Sequence, residues 1–340
     1  MSGSYSENSE GRLKQASRNG RPTILVVGCG GAGCNTITRV SGGELRGAET
    51  IAVNTDAQDL LNAEADEKVL IGREVTNGLG AGGEPKKGRE SALKEKGILK
   101  EALSEHELVF LTYGLGGGTG TGAGPVIGEI AKESGALTVA VVTLPFEAEG
   151  EERNRKAVEG LSRMEEAVDT TIVIPDDRLL EITPDLSLPQ AFERADKVLK
   201  DAIAGVVELA TEPGLINLDF EDILATFEGG GTGVIGFGKS TGERRVEEAV
   251  EEALGNPLLD MDVDRAERAL IAVRGSPDVS LREAEELVEK VSEKLDPDAR
   301  IAWGARTSED LEDSLKVMIM VGGAGSDEGT EEMDFGLESL

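Results

Sequence analysis

Residues 111–125 read LTYGLGGGTGTGAGP, and from Gly116 to Gly122 no side chain is larger than threonine. The stretch follows an apolar strand pattern, Leu108 to Thr112. Glycine reaches positive φ and lets other atoms close on its N–H groups, so a Gly/Thr run at a strand end predicts an anion cradle. Phosphate is the anion that best fits such a bare backbone.

Working outward, the chain alternates short apolar strands with amphipathic helices. Strands are predicted over 23–28, 50–54, 68–72, 107–113, 136–145 and 170–175, with helices from Asn35, near 57–63, over 88–103, from Ala123 and over 151–167. This alternation specifies an α/β fold: a parallel sheet covered on both faces, with the loops at the strand C-terminal ends forming one crevice. Residues 188–210 read as a long, largely buried helix, because Ala191, Ala195, Val198, Leu199, Ile203, Val206, Val207 and Leu209 cover much of its circumference. Beyond it, strands near Ile235 and over 268–275, 300–306 and 316–322, with helices over 244–254 and 280–295, predict a smaller α+β unit. Residues 1–20 are polar and aperiodic and read as a disordered tail, and residues 323–340 as an acidic tail ending in a small apolar cluster.

Composition narrows the function. Of 340 residues, 66 are acidic and 35 basic, a formal net charge of -31. Such a surface repels nucleic acid and anionic membrane, so neither is an expected partner. Two cysteines, Cys29 and Cys34, fit a reducing compartment and make a poor metal site. With neither a long apolar run nor a signal-peptide pattern, the sequence predicts a cytosolic protein. The single histidine, His106, reads as a surface residue, and Trp303 as packed in the second unit.

Three glycine loops follow successive strands: GCGGAGCN (28–35), GLGAGGEP (78–85) and GGGTGTG (116–122). The first matches GxGxxG between strand and helix, with Asp56 placed as a dinucleotide-binding acid would be, so a nicotinamide enzyme is one reading. Residues 233–240, GVIGFGKS, satisfy the Walker A pattern letter for letter. Its interior Val234, Ile235 and Phe237 nevertheless read as a buried strand, whereas a phosphate cradle needs small residues. A dinucleotide enzyme needs one glycine loop; several converging loops suggest a triphosphate held mainly by backbone amides.

With these loops, the motifs NTDAQDL (54–60), VVTLPFEAEG (141–150) and GLINLDFED (214–222) occur in an order that resembles the tubulin/FtsZ family, and within it the prokaryotic, possibly archaeal, cell-division GTPases. The resemblance spans roughly 22–322. It implies a GTP-binding domain (21–187), a central helix with an acidic loop (188–222) and a C-terminal α+β domain (223–322). Gly30, Gly31, Gly117, Gly118, Thr119, Gly120 and Thr121 then correspond to phosphate contacts, and Ala81, Gly82 and Gly83 to the loop closing on the terminal phosphate. Glu149 and Arg153 correspond to ribose and phosphate contacts, and Asn35, Phe192 and Asp196 to guanine contacts. A carboxylate at 196 can accept from guanine N1–H and N2–H₂, and the Phe192 ring can pack on the base. Where the family often has asparagine this chain has Asp176, which keeps a polar group but changes its charge.

The segment NLDFED offers Asn217, Asp219 and Asp222, the two aspartates on one face if a helical turn starts there. Carboxylates beside GTP in the same subunit would repel its phosphates, but delivered by another copy they could orient and deprotonate a water. The resemblance implies that arrangement: head-to-tail filaments of a division ring, GTP with Mg²⁺ held mainly through phosphates and water, and no dedicated protein metal site. The tail segment 333–340, MDFGLESL, is expected to dock a membrane adaptor.

Overall fold

The structure is a computed structural model and describes residues 22–40, 45, 47–182, 186–259 and 263–323. The expected N-terminal tail, and the C-terminal tail from residue 324 on, lie outside these residues. The strands are β1 (Ile24–Cys29), β2 (Ala48–Asn54), β3 (Glu67–Leu70), β4 (Leu108–Gly114), β5 (Leu137–Leu144), β6 (Thr170–Pro175), β7 (Gly231–Thr241), β8 (Arg268–Gly275), β9 (Arg300–Thr307) and β10 (Ser314–Gly322). The helices are α1 (Gly30–Val40), α2 (Ala57–Asn62), α3 (Arg73–Thr76), α4 (Pro85–Lys94), α5 (Lys96–Leu103), α6 (Thr119–Glu133), α7 (Glu151–Ala167), α8 (Asp176–Ile182), α9 (Leu188–Thr211), α10 (Phe220–Phe227), α11 (Arg245–Leu254) and α12 (Leu281–Ser292).

All ten strands join one sheet in the order β3-β2-β1-β4-β5-β6-β7-β10-β8-β9. The first six are parallel, as their helical connections require. The C-terminal unit is attached through a short parallel ladder from Thr170↔Gly231 to Ile172↔Gly233, after which β10 runs antiparallel to β7 and β8. Successive residues of β1 serve opposite faces. Leu25 and Val27 pack with Ile127 and Ile130 of α6 and Met164 of α7, whereas Ile24 and Val26 pack with Ile37 of α1 and Ile203 and Val206 of α9. The second of these cores continues to Leu270 of β8 and Met318 of β10, so α9 is packed against both halves of the sheet. Full burial of one aliphatic side chain is worth about 1.5–3 kcal/mol, which makes this helix the mechanical spine of the molecule.

Several local details differ from the sequence expectation. The helix after GGGTGTG starts at Thr119 rather than Ala123, and α1 starts at Gly30 rather than Asn35. The helix expected over 88–103 breaks at Glu95 into α4 and α5. His106 is not a free surface side chain: it is 12% exposed and lies 3.5 Å from Glu49. Trp303 packs against the C-terminal core.

Candidate functional site

Parallel pairing aligns the C-terminal ends of the strands: Gly28 stands opposite Thr112, Gly114 opposite Thr143, and Leu144 opposite Pro175. The loops leaving these ends therefore meet. Gly30, at φ +72°, turns the chain so tightly that a Cβ there would stand 3.0 Å from the Gly120 nitrogen and 3.3 Å from Thr119 Cβ. The first and third glycine loops are thus in contact.

The second loop closes the cradle from the side. A Cβ on Gly118 would stand 2.8 Å from Ala81 Cβ and 2.9 Å from the Glu84 nitrogen. Gly82 and Gly83 carry φ of +60° and +73° with nothing within 4 Å of their missing side chains, so their backbone faces open space. Gly31 is exposed and Gly117 half-buried, while Thr119, Gly120 and Thr121 are buried in the first turn of α6. That helix is fifteen residues long, and its unpaired N–H groups and positive dipole end sit within the cradle. Gly118, the residue before the helix, provides no side-chain cap for those groups. An anion can satisfy them instead.

Beside the cradle stand the side chains that the resemblance assigns to sugar and base. Glu149 and Arg153 form an ion pair at 3.1 Å. Asp196, on α9, pairs with Arg39 of α1 at 3.2 Å. Burial pushes its carboxyl up to about 6, against the opposing pull of Arg39 and of a hydrogen bond with Thr36. Asn35 is exposed on α1. Phe192 is 38% exposed and meets the buried Phe146 edge to face, with ring centroids 5.3 Å apart and an interplanar angle of 79°. A planar base can therefore rest on a ring that is itself held in place. Asp176 is buried at the end of β6, its Oδ1 without a partner. Burial raises its pKa well above the ordinary carboxylate value, and the nearby charges of Glu149 and Asp196 add to the shift.

The acidic segment lies elsewhere. Asp219 precedes α10 and its carbonyl accepts from the Asp222 N–H at 3.0 Å, so both aspartates stand in one exposed first turn. Asn217 is exposed, and its Oδ1 accepts from the Gly214 N–H at 2.7 Å. The segment is pinned to β9 through the Ile216↔Ala305 bridge. It follows the C-terminus of α9, whereas Phe192 and Asp196 lie near the N-terminus. The fifteen residue steps from Asp196 to Thr211 alone span about 22 Å of helix.

Some contributing residues were not singled out in the sequence, although Thr55 lies within NTDAQDL. Thr55 bonds Thr119 hydroxyl to hydroxyl at 2.6 Å, Lys156 donates to the Gly83 carbonyl at 3.0 Å, and Arg39 neutralises Asp196. Arg39, one helical turn after Asn35, had a spacing that could have pointed to it, and Thr55 a place in a motif. The two decoys resolve structurally. Asp56 caps α2 by accepting from the Gln58 and Asp59 N–H groups, and the Walker A look-alike is β7, with Val234 and Ile235 fully buried.

Glycine loops at the ends of a parallel sheet, converging on the N-terminus of a buried helix, are the framework of a tubulin-like GTPase domain. Residues 23–184 match the Tubulin/FtsZ family, GTPase domain, and residues 231–325 the FtsZ family, C-terminal domain. Cell division protein FtsZ 1 of Methanocaldococcus jannaschii is 52% identical over 303 residues, covering 89% of this chain and 83% of that protein. FtsZ 1 of Thermococcus kodakarensis is 49% identical over 330 residues, covering 96% and 88%. An empty FtsZ dimer structure from M. jannaschii superposes with TM-score 0.90 at 50% identity, covering 94% of this chain and 93% of that one. The chain belongs to the FtsZ family of cell-division proteins; it is a GTPase and binds GTP and GDP. CetZ2 from Haloferax volcanii shares the fold, with TM-score 0.76 at 21% identity, covering 92% of this chain and 96% of that one.

Proposed function

We propose that the protein assembles head to tail into filaments of the division ring, and that each GTP is hydrolysed at a junction between two copies. The observation that carries this reading is the separation of the two halves of the chemistry along α9. The cradle, with Gly30, Gly31, Ala81, Gly82, Gly83, Gly117, Gly118, Thr119, Gly120 and Thr121, would hold the phosphates. Glu149, Arg153 and Asp176 would line the sugar side, and Asn35, Phe192 and Asp196 the guanine. Asn217, Asp219 and Asp222, at the far end, would reach into the pocket of the next copy, where a carboxylate orients and deprotonates the attacking water.

Both ends carry exposed apolar side chains suited to such a contact: Leu79 beside the cradle is 81% exposed and Leu215 beside the acidic segment is 48% exposed. A heterologous contact that repeats without closing generates a filament. The solved relatives include an FtsZ dimer and a GTPγS-bound CetZ2 protofilament. Mg²⁺ would arrive on the phosphates and water. The tail 333–340, with Phe335, Leu337 and Leu340, would carry the filament to a membrane adaptor at mid-cell.

Light scattering and phosphate release followed together test the proposal. GTP should produce both signals, and hydrolysis per subunit should rise steeply with protein concentration. A specific rate independent of concentration, in a sample that sediments as monomer throughout, would overturn it.

A further inference from the structure

Asp176 is the buried carboxylate at the end of β6, and no ion pair among the described residues holds it. It is 4% exposed, and its Oδ1 is buried with no hydrogen-bond partner. The charged groups that face it come from four elements. Glu149 lies in the turn after β5, Arg153 on α7, Asp177 beside it on α8 and Asp196 on α9. Three of the four are acidic. The one cation, Arg153, has its Nε on Glu149 at 3.1 Å, and Asp177 is occupied by the Glu147 N–H at 2.9 Å. A buried group in that setting keeps its proton, since a second or third negative charge in one dry site costs more than the loss of ionisation returns.

We propose that Asp176 serves the nucleotide as a neutral carboxylic acid, whose O–H donates a hydrogen bond to an acceptor oxygen or nitrogen of the bound guanosine. The proposal rests on the assignment of this pocket to GTP and GDP. An ionised carboxylate offers acceptors only, whereas the protonated acid has one donor and one carbonyl acceptor, as an amide does. Burial and the surrounding carboxylates raise the pKa of the group well above the ordinary value, in keeping with that role.

Two consequences follow, of which the first is opposite in sign to the effect of Asp196 on binding. Nucleotide affinity falls as the pH rises through the titration of Asp176, by up to about tenfold per pH unit, because the donor is removed and a negative charge is added. The nucleotide-free protein also loses thermal stability as pH rises, from the ordinary carboxylate value up to the raised value that Asp176 has in the folded state. A folded-state pKa above the unfolded one means that the native state binds more protons than the unfolded state, so stability declines as pH increases until the group has fully titrated.

The test compares the wild type with Asp176→Asn, which supplies the donor permanently, and with Asp176→Ala, which removes it. GDP is the probe, so that hydrolysis does not intervene, and binding is measured by calorimetry across the pH range in which the protein stays folded. Wild-type affinity should decline as pH rises through the titration of Asp176, Asp176→Asn should hold its affinity apart from the titration of guanine itself, and Asp176→Ala should be weak throughout. Thermal melts without nucleotide should show in wild type a decline as pH rises above the ordinary carboxylate value, and a shallower one in both variants. Parallel pH profiles for wild type and Asp176→Asn, in binding and in melting, would overturn the proposal. A wild type that fails to bind GDP at any pH would instead sink the pocket assignment, and the melts would still report whether Asp176 holds its proton.

Discussion

Guanine presents two donors, N1–H and N2–H₂, and a carboxylate answers both only when ionised. Asp196 is partly desolvated, and its carboxyl is pushed up to about 6 by burial. The ionised acceptor is therefore present above that pH and lost below it. GDP affinity of the wild type is expected to weaken by about tenfold per unit of pH below about 6, and Asp196→Asn should lose most of this acid limb. At neutral pH, Asp196→Ala removes hydrogen bonds to a charged acceptor, worth about 1.5–3 kcal/mol, or roughly 10- to 150-fold in affinity. It should also collapse the preference for GTP over ATP in a competition assay. Equal discrimination by the variant would remove Asp196 from the base site. Guanine contacts of this kind were legible in the sequence only through the resemblance. A Phe and an Asp four apart on a helix are ordinary, and what distinguishes them, Phe146 beneath one and Arg39 beside the other, comes from different elements.

At the scale of elements, the strands were readable from apolar runs because each lies in a sheet covered on both faces. The starts of α1 and α6 were not readable. Glycine and threonine are poor helix formers, so GGGTGTG suggests a loop up to Ala123. Tertiary contact overrides that preference. A Cβ on Gly120 would stand 2.9 Å from the Tyr113 ring, and one on Gly122 2.0 Å from the Pro85 carbonyl, so α6 can approach β4 and α4 only with glycine at those positions. The same reasoning explains GVIGFGKS. A Cβ on Gly238 would stand 1.9 Å from the Ala249 carbonyl, which places the glycine there for the packing of α11 on β7 and not for a phosphate. Lys239→Ala, an exposed change on that strand, should leave GTP affinity within experimental error. Gly238→Ala should lower stability by about 1–3 kcal/mol in urea unfolding through overpacking. A Lys239→Ala variant that folds but loses GTP binding would restore the Walker A reading.

Across the whole molecule, a net charge of -31 opposes association of like copies. The screening length falls from about 10 Å at 0.1 M salt to about 3 Å at 1 M, so apolar contacts between ends gain on repulsion as salt increases. Whether the acidic segment then acts on its own chain or on a neighbour can be decided by mixing two inactive variants. Asp219→Ala keeps the cradle intact, and because the segment lies beyond the far end of α9 it should bind GTP normally while losing turnover. Gly118→Val keeps the acidic segment but drives its side chain into Ala81 and the Glu84 backbone, which abolishes binding. In a mixture, a Gly118→Val copy can present its intact aspartates to the loaded pocket of an Asp219→Ala copy. Phosphate release should return to a fraction of the wild-type rate and peak near equal proportions, because only mixed junctions carry both halves. Circular dichroism establishes that Gly118→Val is folded, and sedimentation that the two variants co-assemble. An acidic segment acting within its own chain gives no rescue at any ratio, so a flat phosphate trace from a co-sedimenting mixture would end the shared-site mechanism for this protein.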